Sequence, residues 1–223
     1  MRLRTLFTGL SAGVLWLGLA ALLVAGAANA ASISYYLNQT NTTFLPDGTN
    51  YLTITFADST AAPGDIDVTV TLLSPLTGIA GANFGIQTFS FSSTNTLSAA
   101  NIIGLPSSSW AADFAPPPQV ADGFGQFGVE VANGGGDRQA PTLSFSISIA
   151  GDSLYDYAVL SGGNAGEGNT YFAAHVAGFL DQDPDPEEVL TSAWFGGSTV
   201  VPEPSTALLV LAGLALLRLR RRP

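Results

Sequence analysis

No cysteine and no lysine occur in this chain, and it has one histidine, His175. Without cysteine there are no disulfides and no thiol chemistry, so the fold must stand on an apolar core. One histidine and no cysteine also argue against a zinc centre, which draws on several such ligands. Basic residues are scarce: all seven are arginine, and Arg138 alone lies between Ala31 and Val201. That stretch carries every one of the 17 acidic residues except Glu203, which leaves it a formal charge of −15. A field of that sign repels nucleic acid and anionic lipid headgroups, so nucleic acid is excluded as a partner. No Gly-x-Ser-x-Gly nucleophile elbow occurs, and the lone His175 sits among apolar neighbours, where a structural role is expected.

What the middle lacks in cations, the two ends supply. Arg2 and Arg4 precede an apolar run from Val14 to Ala25, and Ala28 and Ala30 then place small residues at the −3 and −1 positions of a cleavage site. Residues 1–30 therefore read as a helical signal peptide removed by signal peptidase, with the mature chain starting near Ala31. An uncleaved anchor is the other reading; the short apolar run and the Ala-x-Ala site weigh against it.

The C-terminal end, residues 199–223, has three parts. Val201, Pro202, Glu203 and Pro204 form an extended motif, because each proline lacks an N–H and restricts its predecessor. Twelve residues from Thr206 to Leu217 follow, apolar after the initial threonine. Arg218, Arg220, Arg221 and Arg222 then make a basic stop that favours a cytoplasmic C-terminus. A helix of that length spans about 18 Å against about 30 Å of hydrocarbon. It suits a temporary transmembrane hold better than a lasting anchor.

These three parts, in this order, resemble the PEP-CTERM sorting signal. The resemblance covers Val201 to Pro223 and implies an exported protein of a Gram-negative bacterium. It also implies processing by an exosortase at the inner membrane, then display at the cell surface or in a matrix of exopolysaccharide or biofilm. A plain membrane tail is the alternative. Tyr171 to Phe179 and Trp194-Phe195 resemble more loosely a recurring ectodomain of such proteins, one without an assigned activity.

Between the ends, residues 31–198 alternate with period two, as half-buried strands do. Ile66, Val68, Val70 and Leu72 interleave with polar residues, as do Leu143, Phe145, Ile147 and Ile149. Phe127 to Val131, Tyr51 to Ala57, Ile33 to Asn38 and Tyr171 to Val176 are further strands, and Ala193 to Phe195 a short last one. From Asn83 to Ser92 the apolar parity switches, which predicts a β-bulge near Gln87-Thr88 or two short strands. Turns at Pro46-Asp47-Gly48 and Pro63-Gly64-Asp65 separate strands at about ten-residue spacing. The expected fold is all-β, an antiparallel β-sandwich or jelly-roll-like ectodomain. Only Ser98 to Ile103 offers a helical turn. Leu105 to Phe124, with Pro116 to Pro118, reads as a long irregular connection, and the end of 181–200 as a spacer above the membrane.

Asp181, Asp183, Asp185 and Glu187 alternate as hard oxygen ligands suited to Ca²⁺. Pro186 stands where an EF-hand needs glycine, so a solvated acidic loop is the plainer reading, and no other cofactor is implied. Asn38 and Asn41 begin glycosylation-type triplets. Trp110, Trp194 and Tyr155 are candidates for stacking on sugar rings, with core packing the plainer role. Most acids, Asp122 and Glu167 among them, lie in turns beside glycine or proline. The reading that follows is a non-catalytic exported surface protein. A Ca²⁺-assisted, lectin-like carbohydrate-binding module is the alternative, and a secreted hydrolase with paired carboxylates a third.

Overall fold

The computed structural model describes residues 30–134, 136–180 and 190–201. The signal-peptide segment to Asn29, the acidic run 181–189 and the tail from Pro202 lie outside the described residues, and with them both expected terminal helices. Among the described residues the architecture is all-β: two six-stranded antiparallel sheets packed over one core.

Strands β1 (Ser32–Leu37), β3 (Leu52–Asp58), β4 (Asp65–Leu72) and β9 (Thr142–Ser148) form the middle of the first sheet. Two-residue strands close its edges: β6 (Ile102–Ile103) beside β9, and β12 (Thr199–Val200) beside β1. The second sheet runs in the order β2 (Gln39–Thr40), β11 (Ser192–Gly197), β10 (Phe172–Phe179), β5 (Ala80–Phe91), β8 (Gly125–Ala132), β7 (Ala111–Ala121). A one-turn helix α1 (Ser74–Thr77) bridges β4 and β5, and Ala99–Asn101 is a 3₁₀ turn where a helical turn was expected.

The period-two pattern sets which face is dry. Along β4 every second residue is buried, so Ile66, Val68, Val70 and Leu72 point inward while Asp67, Thr69 and Thr71 do not. On β5, Phe89 and Phe91 meet them from the opposite sheet. Aromatic rings knit the layers: Phe56 of β3 stacks on Tyr157 at 5.0 Å and tilts against Phe172 of β10 at 5.3 Å. Such pairs add about 0.5–1.5 kcal/mol beyond the area they bury. The Tyr157 hydroxyl, otherwise stranded in this core, donates to the Asp152 carboxylate.

The predicted bulge is present. Thr88 pairs with His175 and Ile86 with Val176, so Gln87 is the extra residue that switches parity along β5. Two expectations need correction. The stretch around Pro116 to Pro118 is no loose connection: it belongs to the edge strand β7, whose pairing with β8 skips from Phe114 to Gln119. Proline has no ladder hydrogen to give, and at an edge interruption none is required. Nor do residues 192–200 form a spacer. They are β11 and β12, with Ala193 and Phe195 in the core, and the sandwich extends past residue 198 to Val200.

Candidate functional site

The outer face of the second sheet sets polar and aromatic side chains side by side. Cross-strand register sets Ala132, Thr88, His175 and Trp194 in one row, and Asp113, Glu130, Ser90, Ala173 and Gly196 in the next. His175 lies flat against Trp194, ring centroids 5.1 Å apart and planes 27° from parallel. Burial, then the nearby Arg138 charge, lowers the His175 pKa. Its ring is taken up in that stack on the outer face of the sheet.

Glu130 and Asp113 face each other across β8 and β7. Burial, reinforced by the Asp113 charge, raises the Glu130 pKa. A carboxyl with a raised folded pKa penalises the fold when ionised, and the penalty is relieved as pH falls through that pKa. Glu130→Gln should therefore raise the melting temperature at pH 7, with the gain vanishing near pH 4. Thermal melts at the two pH values check it.

Beside this face the segment Ala121 to Gln126 folds over the sheet. Its Phe124 ring covers β11 so closely that a Cβ at Gly196 would lie 2.4 Å from Phe124 Cδ1; only glycine fits beneath it. Ala121, Phe124, Phe127 and Ala173 form a small second core there, and Trp194 packs against it. Gly125, at φ +89°, lets the backbone exchange hydrogen bonds between Gln126 and Gly162 at 2.8 and 2.7 Å. A Cβ at Gly125 would lie 2.5 Å from the Gly162 carbonyl oxygen. This pairing joins the β7–β8 turn to the loop ahead of β10, and a groove of about 380 Å³ opens between them.

Asn41, Asp122, Gln126, Asn164 and Glu167 line the groove with amides and carboxylates. Asn41 fixes its wall: Nδ2 donates to Asp122 Oδ2 at 3.0 Å, and Oδ1 accepts the Trp194 backbone N–H at 2.9 Å. That side-chain amide, flagged in the sequence only as a glycosylation-type asparagine, is thus spent on holding the groove against β11. The Glu167 backbone N–H donates to the Gly123 carbonyl at 2.8 Å, fixing the other wall.

Of the residues singled out in the sequence, Trp194 lies beside this site, its N–H bonded to the groove residue Asn41, with His175 stacked on it. Trp110 is in the core, 4% exposed, its Nε1 donating to the Asp137 carbonyl at 3.1 Å. Tyr155 stands on the surface, 74% exposed, in the 3₁₀ turn Leu154–Tyr157. Ala28, Pro202 to Pro204, Arg218 to Arg222 and the acids Asp181, Asp183, Asp185 and Glu187 lie outside the described residues. Ala30 and Val201 are the last described residues before these gaps, and the Val201 N–H donates to the Ser34 carbonyl at 2.8 Å. The sequence left Gln126 unmarked, marked Asn41 only as a glycosylation-type asparagine, and placed Asp122, Asn164 and Glu167 only in turns. The glycine-rich runs 123–128 and 162–168 were the available signal. Comparison with known proteins finds no matching family model, curated protein or solved structure.

Proposed function

We propose that this chain is an exported, non-catalytic β-sandwich, delivered to the cell surface by a PEP-CTERM-type tail that an exosortase processes. The observation that carries this reading is the C-terminal sequence from Val201: Pro-Glu-Pro, a short apolar run, then four arginines. The fold is in keeping with it. β12, at the edge of a sheet, ends at Val200, one residue before the motif begins. A jelly-roll arrangement is the finer form of this reading.

The non-catalytic part is supported by the chemistry of the groove. Asp122 and Glu167 are both exposed, and a glycosidase acid needs a carboxyl whose proton is held by burial. The sole histidine is committed to a ring stack. Signal peptidase and an exosortase are the expected partners, with exopolysaccharide the expected surroundings.

Mass spectrometry of the surface form in cells with and without the exosortase tests the reading. With the enzyme, the mature protein starts near Ala31 and lacks the peptide beyond Glu203. A surface form that keeps residues 205–223 in both strains would make the tail a plain membrane anchor.

A further inference from the structure

We propose that the groove beside Trp194 is a binding site for a neutral, hydroxyl-rich glycan. This goes beyond surface delivery, which says nothing about what the domain holds. The groove volume, about 380 Å³, falls in the range of small-ligand sites. Its polar groups suit hydroxyls: the amides of Gln126 and Asn164 both donate and accept, and the carboxylates of Asp122 and Glu167 accept. A sugar hydroxyl is donor and acceptor at once, so such a mixed lining pairs it in either sense. The side chains of Gln126, Asn164 and Glu167 make no hydrogen bond among the described residues, so they are available.

Asn41 provides order. Bonded to Asp122 on one side and to the β11 backbone on the other, it holds the wall before any ligand arrives. Preorganisation of this kind lowers the entropy cost of binding. Trp194 adds apolar support next to that wall, because it packs on the small core that includes Ala121, a groove residue, and its backbone bonds to Asn41.

Charge decides which glycans. Two carboxylates in the groove and a formal charge of −15 over residues 31–201 repel uronates, sulfates and phosphates. Neutral polysaccharide is the class that remains favourable. A metal ion is a poorer fit, since no group of three or more His, Cys, Asp or Glu residues suited to one occurs among the described residues.

Affinity electrophoresis of the full-length chain in detergent micelles, through gels containing dextran, a β-1,3-glucan, galactomannan or alginate, tests the proposal. Retardation by at least one neutral glycan and none by alginate is expected. Glu167→Gln should weaken that binding about ten-fold or more, as the loss of a hydrogen bond to a charged group does. Glu167 is exposed, so this variant folds even if Trp194→Ala does not. Tyr155→Ala, on an exposed aromatic outside the groove lining, should bind as the parent does. Absence of retardation in all three neutral gels, preference for alginate, or unchanged binding by Glu167→Gln would each overturn it. None of these outcomes depends on how the C-terminal tail is processed.

Discussion

A chain ending at Thr191 is expected not to fold, whereas one ending at Val201 should melt at the temperature of the full-length protein. The difference is ten residues, 192–201, of which the sequence marks only Ala193 to Phe195 as a short strand. In the fold, β11 pairs with β10 at six positions, from Phe172↔Gly197 to Ala177↔Ser192. Phe195 is fully buried and its ring sits 5.1 Å from that of Tyr51. The same strand holds β2 on its far side, through Thr40 and Gln39. β12 then crosses to the first sheet and pairs with Tyr35 and Tyr36 of β1. Burying one large aromatic contributes about 1.5–3 kcal/mol and each net backbone hydrogen bond about 1 kcal/mol. The loss is on the order of 10 kcal/mol, as large as the whole stability of an ordinary domain. Circular dichroism melts of the two truncations check this. A cooperative transition at an unchanged temperature in the shorter chain would mean that β11 is ornamental.

What could be read in advance followed from periodicity. β4 and β9 are half-buried strands with one apolar face, so their alternation is complete and their spans were clear. The Gln87 bulge was legible for the same reason, since an extra residue must flip the apolar parity. β7 was hidden because Pro116, Pro117 and Pro118 erase its pattern; an edge strand tolerates an interruption that a central strand does not. β12 was hidden by its length, for two residues have no period. The groove was illegible for a different reason. Asn41, Asp122, Asn164 and Glu167 come from three separate loops, and two of those loops meet through the Gln126–Gly162 backbone pair and the bond from the Glu167 N–H to the Gly123 carbonyl. Local sequence records which residues make turns, and gives no account of which turns meet.

The core prediction with the largest single-residue effect is at Phe56. Its side chain is fully buried at the centre of the sandwich, stacked on Tyr157 with planes 11° apart. It also touches Phe172 at 5.3 Å and Phe91 at 6.5 Å, so one ring from the first sheet meets two from the second. Phe56→Ala removes that contact and leaves a cavity among aromatic rings too rigid to collapse into it. The expected cost is about 3–5 kcal/mol, or roughly 6–20 °C in melting temperature for a domain of this size. Phe56→Leu keeps most of the volume and should cost less than half as much. Tyr155→Ala, at a side chain 74% exposed, should fall within about 0.5 kcal/mol of the parent. Urea unfolding of the three variants reads these values directly, with equal slopes expected if only stability changes. A Phe56→Ala loss no larger than that of Tyr155→Ala would mean that the two sheets do not share the core described above.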